Sequence, residues 1–269
     1  MDLLASPQNP RVKRLVRLQQ KAADRRAEAL TLVEGLRELT IAVGAGVEVL
    51  ELYTCPDLPN AAPESALAAL GVPFGRRCEL APAAFERVAY RDGSDGVVAL
   101  VRPPARALAE LHLPPNPLLL VAEAVEKPGN LGALLRTADA APVDAVLVLD
   151  PRVDIWSPNV IRASIGCVFT RPVVACGRAE GLAWLRARGI RTFAAALAPG
   201  ARPYTEADFR GPTALLLGTE ADGLTAETRA QADETIIIPM RGLIDSLNVS
   251  VAAAVLTFEA IRQRGMAGG

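Results

Sequence analysis

The chain has 269 residues, half of them apolar, and carries 29 Lys and Arg against 30 Asp and Glu for a formal net charge of −1. That length suits two domains of ordinary size, and the balanced charge excludes the strongly basic signature of a crude nucleic-acid binder while leaving local basic surfaces open. Cys55, Cys78, Cys167 and Cys176 form no CxxC pair and His112 is the only histidine, so no zinc ribbon, redox motif or His-based metal site is written here.

The thiols read as reduced and mostly buried, and His112, in a proline-rich stretch, as surface linker. Met1 and the residues up to 20 lack the apolar core of a signal peptide, and no apolar run reaches the ~18 residues of a membrane span. The expectation is a soluble, cytoplasmic protein that needs neither membrane nor metal.

Along the chain, residues 10–29 predict a helix with Val12, Leu15, Val16, Gln19 and Ala23 near one face. Residues 30–33 are a short strand candidate, 37–45 a helix closed by Gly46, and 47–53 a strand. Residues 64–70 form a helix between Pro63 and Gly71; 72–76 and 96–101 are further strand candidates. Arg11, Lys13, Arg14, Arg17, Lys21, Arg25 and Arg26 crowd the first helix, with only Asp24 opposing them, which reads either as a solvated charged face or, preferably, as a surface that tracks phosphates. Arg152, Arg162 and Arg171 are weaker candidates.

Residues 102–117 begin and end in paired prolines, which withhold the amide donors of a sheet. The domains expected are 1–104 and 117–269, with a linker over 105–116. Beyond it, 118–121, 145–149, 192–196, 214–217 and 235–238 are short apolar runs suited to strands buried on both faces of a parallel sheet. Predicted helices alternate with them over 132–140, 158–165, 179–188, 226–231 and 249–264, an α/β pattern. Ligands of such sheets bind beyond the strand carboxyl ends. Three strands there lead into polar or glycine-bearing loops, 126–132, 218–224 and 239–248. Neither GxGxxG nor a Walker loop occurs, so a ligand held without a phosphate cradle fits better.

The same loops carry a recognisable pattern. EKPGNLGALLRTA from Glu126, LLLGTEADGL from Leu215 and IPMRGLIDSLNVSVA from Ile238 resemble, in order and spacing, the three motifs of the SpoU/TrmH family of RNA 2′-O-ribose methyltransferases. NPRVKRLVRLQ and LTLVEGLREL in the first segment resemble the substrate-binding domain of many members. Thr219 and Ala221 depart from the residues the family often carries there. The resemblance implies an α/β catalytic domain with a C-terminal trefoil knot, preceded by a smaller α/β substrate-binding domain. It also implies a homodimer and S-adenosyl-L-methionine as methyl donor.

By the same resemblance Asn130, Arg136, Glu220, Ser246 and Asn248 form the catalytic centre. Each also has a plainer reading. Asn130 and Asn248 are good helix caps, Glu220 a favourable charge near a helix start, and Arg136 a surface cation. A free guanidinium stays protonated and is a poor base, so Arg136 is expected to hold the target phosphate and stabilise the developing alkoxide, with deprotonation by Arg136 as the open alternative. Gly218 permits close approach of the chain. Ile238, Met240 and Leu247 offer an apolar slot for adenine, Glu220 borders it, and Ala196 is a weaker contact. The expected reaction is 2′-O-methylation of a ribose in structured RNA, ribosomal RNA first. A transfer RNA substrate, or a non-catalytic RNA-binding protein on the same fold, are the alternatives.

Overall fold

A computed structural model describes residues 2–90 and 93–265. The chain divides into two compact units, Met1–Ala105 with Trp156–Thr170, and Arg106–Ile155 with Arg171–Gly269.

The first unit holds β1 (Asp2–Leu4), α1 (Pro10–Gln20), α2 (Ala22–Glu28), β2 (Thr31–Glu34), α3 (Leu36–Gly44), β3 (Glu48–Thr54), α4 (Glu64–Ala69), β4 (Arg77–Leu80), α5 (Pro82–Val88) and β5 (Val97–Arg102). Its sheet runs β1-β4-β3-β5-β2. β1, β4 and β3 pair in parallel, and β5 runs antiparallel to both β3 and β2. One core gathers Val12, Leu15 and Leu18 of α1 with Tyr53, Leu80, Phe85 and Leu100.

Two sequence expectations change here. The single helix over 10–29 is two, because Lys21 adopts an extended conformation (φ −114°, ψ 114°). The strand expected over 72–76 is instead a 3-10 turn at Phe74–Arg76 followed by β4. Pro73 removes a ladder donor and Gly75 has no side chain to pack, so pairing begins where Cys78 and Leu80 alternate inward. β1 and α5 carried weak signals, three residues in one case and Pro82 at the first helical position in the other.

The second unit holds β6 (Leu118–Glu123), α6 (Pro128–Ala140) and β7 (Ala145–Leu149). α7 (Pro158–Ala163) follows in the chain but lies in the stretch grouped with the first unit. There Gly166 sits so close to α3 that a Cβ would fall 2.9 Å from the Glu38 carbonyl oxygen, at φ +82°. The second unit resumes with β8 (Val173–Cys176), α8 (Arg178–Ala187), β9 (Arg191–Ala195), β10 (Arg202–Pro203), β11 (Thr213–Leu217), α9 (Ala226–Gln231), β12 (Glu234–Ile237) and α10 (Val249–Gln263). The stretch 105–116 is anchored by Leu108 and Leu111, which pack into this unit's core.

All six strand pairings of this sheet are parallel, in the order β10-β12-β9-β11-β6-β7-β8. β6, β7 and β11 are buried along their whole length, as expected of strands covered on both faces. From β6 the chain steps outward to β7 and β8, whereas β11, its other neighbour, leads to β9 and β12. Chain order therefore reverses between β6 and β11, and at such a reversal the loops beyond the strand ends part to leave a crevice.

Candidate active site

On the β11 side of that crevice, beyond β9, β11 and β12, lies a cavity of about 300 Å³. Ala195 to Leu197 beyond β9 line one part of it. Leu217 to Leu224 beyond β11, Ile236 to Ile238 with Met240 at and beyond β12, and Asp245 to Leu247 ahead of α10 line the rest. Ala196, Gly218, Glu220, Ile238, Met240 and Leu247 thus all border one space. Gly218 is required by the chain itself, since a Cβ there would lie 2.0 Å from the Gly223 carbonyl carbon. Glu220, Asp222 and Asp245 face the cavity against a single cation, Arg229, which donates to the Leu224 carbonyl at 2.6 Å. The lining therefore favours a cationic ligand.

A smaller cleft shares Gly218, Thr219, Glu220, Ala221 and Val249 with that cavity and adds Lys127 and Asn130. Here three of the five expected catalytic side chains meet. Asn248 Nδ2 donates to Asn130 Oδ1 at 3.2 Å and to Glu220 Oε1 at 3.1 Å. Its Oδ1 caps α10 through the Ser250 amide at 2.9 Å, so one side chain both starts the helix and joins two loops. Glu220 Oε2 accepts from Lys127 Nζ at 2.5 Å, and this carboxylate raises the lysine's pKa. Lys127 lies inside the first motif without standing out there as a site residue, because a lysine in a polar loop reads by default as a surface charge.

Asn130 does not cap α6. Pro128, whose ring presets a helical φ, starts the helix two residues earlier, leaving the Asn130 side chain free to meet Asn248. Ser246 borders the cavity but donates to its neighbour Asp245 at 3.0 Å. Arg136 stands outside the cluster, exposed and with no hydrogen bond or ion pair among the described residues. Six residues advance a helix by roughly 9 Å but also turn it by about 600°, a third of a turn away from Asn130. Glu220 accordingly bonds to Asn248 and Lys127, and no hydrogen bond joins it to Arg136 among the described residues. No group of His, Cys, Asp and Glu able to hold a metal occurs among the described residues.

Residues 117–258 match the SpoU rRNA Methylase family. The chain belongs to that family. Residues 9–99 match the MRM3-like substrate binding domain. Among curated SpoU relatives, the chain is 36% identical over 160 residues to the 23S rRNA (guanosine(2553)-2′-O)-methyltransferase RlmP of Bacillus subtilis, an alignment covering 58% of this chain and 64% of that protein. It is 43% identical over 154 residues to the tRNA (guanosine(18)-2′-O)-methyltransferase of Thermus thermophilus, covering 56% of this chain and 77% of that one. The AdoMet-bound rRNA methyltransferase from Sinorhizobium meliloti superimposes with a TM-score of 0.86 at 29% identity over 97% of each chain.

The basic stretch expected to bind RNA lies in the part that matches the substrate-binding domain, and the structure sorts its cations into two groups. Arg25 is buried, and its guanidinium donates to the Leu18 and Gln19 carbonyls at 2.6 and 2.9 Å. These are end carbonyls of α1, left without amide partners by the break at Lys21. Arg25 is therefore a structural residue, and its assignment to RNA is corrected. Arg14 pairs with Glu28 at 2.7 Å and Arg17 with Asp24 at 3.6 Å. Arg11 pairs with Glu51 at 2.9 Å and lies over the Tyr53 ring. Tyr53 in turn donates to Glu51, and burial together with that carboxylate pushes the phenol's pKa well up. Lys13, Lys21 and Arg26 are exposed and have no ion-pair or hydrogen-bond partner among the described residues. Of the weaker candidates, Arg152 pairs with Glu126, Arg171 with Asp139, and Arg162 stacks on Tyr90.

Proposed function

We propose that this SpoU-family chain transfers the methyl group of S-adenosylmethionine to a ribose 2′-oxygen in structured RNA, with ribosomal RNA as the substrate. One observation carries the reading. The Asn130–Asn248–Glu220 cluster stands at the rim of a cavity whose size, apolar Ile238, Met240 and Leu247, and excess of carboxylates suit an adenosine bearing a sulfonium. When bound, that cofactor supplies an electrophilic methyl. What the protein adds is alignment of the attacking hydroxyl and help with its proton.

Asn130, Glu220 and Asn248 form a preorganised polar edge for the target ribose, and Ser246 contributes a hydroxyl on the cavity side. Arg136, unpaired on its own helix face, holds the target phosphate and stabilises the developing alkoxide. Lys13, Lys21 and Arg26 supply phosphate contacts in the substrate-binding part, which we assign to 1–104, with the methyltransferase domain at 117–269.

The proposal extends to a trefoil knot in the segment running from β11 to α10, a topology in keeping with β12 returning beside β9. It extends also to a homodimer in the cytoplasm. Val251 and Phe258, 47% and 49% exposed, form with half-buried Val255 an apolar stripe along α10 at four- and three-residue spacing, the pattern of a helix awaiting a partner. No helix among the described residues is long and apolar enough to cross a membrane.

The test is incubation with methyl-labelled cofactor and total RNA, followed by mapping of the methylated ribose. Label in 23S ribosomal RNA supports the proposal. Label confined to transfer RNA moves the substrate to that class, and no label in any RNA removes the activity.

A further inference from the structure

Glu123 closes β6 and is 2% exposed. A carboxylate at that depth is costly to desolvate and is tolerated only when fully paired. Its Oε2 accepts the Thr225 amide at 3.0 Å. Its Oε1 accepts the Thr225 and Thr228 hydroxyls, both at 2.8 Å, and lies 3.5 Å from Arg178 Nη1. Thr225 is also the cap of α9, accepting the Thr228 amide at 3.2 Å. Capping alone needs only the threonine. A carboxylate adds two oxygens that take several donors at once, which a side-chain amide with one acceptor oxygen cannot reproduce.

Two loops end on this carboxylate. The turn from Gly218 to Leu224 starts at β11, held in register against β6, and folds back on itself through Thr219–Gly223 hydrogen bonds of 3.0 Å in both directions. Its far end runs directly into Thr225, and Glu220 sits at its tip. Immediately after Glu123, Ala124 takes a left-handed conformation (φ 51°) with its amide fixed to the Leu149 carbonyl at 2.8 Å. From that bend the chain passes through Lys127 to Asn130. The left-handed region is unfavourable for a residue with a Cβ, so the bend is imposed by its surroundings.

We propose that Glu123 is a positioning residue for methyl transfer, clamping the end of the Gly218–Leu224 turn to the root of the Asn130 loop so that Glu220, Asn248 and Asn130 meet at the cofactor cavity. The inference rests on the proposed function for its substrate and cofactor. Glu123 touches neither the cavity nor the cluster, so its effect travels through Thr225 and the turn.

The experiment measures the Kd for S-adenosylmethionine by calorimetry, kcat on the RNA substrate, and Tm, for the wild type, Glu123→Gln, Thr225→Ala, Thr225→Ser and Thr228→Val. Val174→Ala, in the same core but remote from these loops, serves as a control for plain destabilisation. Loss of a hydrogen-bonded buried charge predicts a Kd weakened about tenfold or more in Glu123→Gln, with a fall in kcat. RNA affinity stays unchanged. Thr225→Ser restores what Thr225→Ala loses, and the control lowers Tm without moving Kd. A folded Glu123→Gln with wild-type Kd and kcat overturns the inference. Should that variant fail to fold, Thr228→Val, which removes one bond to the same carboxylate, must shift Kd in the same direction, and an unchanged Kd overturns the inference equally. A wild type that binds no cofactor fails the proposed function instead, and so is told apart.

Discussion

The basic run on α1 and α2 and the loop cluster beyond β6, β11 and β12 teach opposite lessons. In the first, seven cations stand within sixteen positions and invite one functional reading, yet the fold buries Arg25 as an end-cap and pairs Arg11, Arg14 and Arg17 with carboxylates of the same chain. In the second, Asn130, Glu220 and Asn248 are spread over more than a hundred positions and meet within hydrogen-bond distance. Nearness in sequence marks a charged face without saying what the charges do. A convergence of polar side chains from separate loops at the rim of a cavity, beyond what capping α10 requires, is stronger evidence of chemistry.

The sharpest test of this contrast is Arg136→Ala. It is expected to abolish methyl transfer while leaving cofactor affinity intact, because Arg136 has no hydrogen-bond or ion-pair partner among the described residues to lose; wild-type turnover in labelled-methyl assays would remove it from the mechanism. Gly218→Ala comes next. Its Cβ would lie 2.1 Å from the Leu224 amide nitrogen, so cofactor binding measured by calorimetry should fall below detection, and retained binding would show that the turn yields.

On the basic side, the combined change of Lys13, Lys21 and Arg26 to Gln should weaken RNA binding. It should flatten its salt dependence by roughly 0.7–0.9 in log–log slope per lost phosphate contact, read by titration at several salt concentrations. Arg25→Met should leave that slope alone and instead lower stability by about 1–3 kcal/mol, the cost of stranding buried carbonyls, read by denaturant unfolding.

The smallest effect concerns acid. Burial works against the charge on Glu51, but Tyr53 and Arg11 prevail and hold its pKa below the ordinary 4.5. A depressed carboxylate contributes stability above its unfolded pKa and loses it as pH falls through the folded one. Glu51→Gln should therefore flatten the stability profile below about pH 4.5 and leave slopes near neutrality unchanged.

Much of the second unit was legible because its strands are written as unbroken apolar runs. A run such as 145–149, five apolar residues too short for a buried helix and rich in Val, reads as a strand covered on both faces, and every residue of it is buried. The cavity-lining residues were legible because strand-end loops are where such sheets bind ligands. The break at Lys21 was not legible, since no Gly or Pro marks it and the capping Arg25 arrives from the next helix. The start of α6 was misplaced because Asn130 has the chemistry of a cap while Pro128 has the geometry. The distance from Asn130 to Arg136 along the helix was right, but separation along an axis says nothing about rotation around it.

The sequence by itself determined the alternation of elements, the parallel sheet, the family and the loops that line the cavity, because periodicity and motif order are properties of the chain. Tertiary structure alone decided which charges are spent inside the fold, that Glu123 holds two loops, and that Asn248 joins Asn130 to Glu220. Those outcomes depend on which distant groups a buried donor or acceptor finds, and hydrogen-bond satisfaction is settled only once the whole chain has packed.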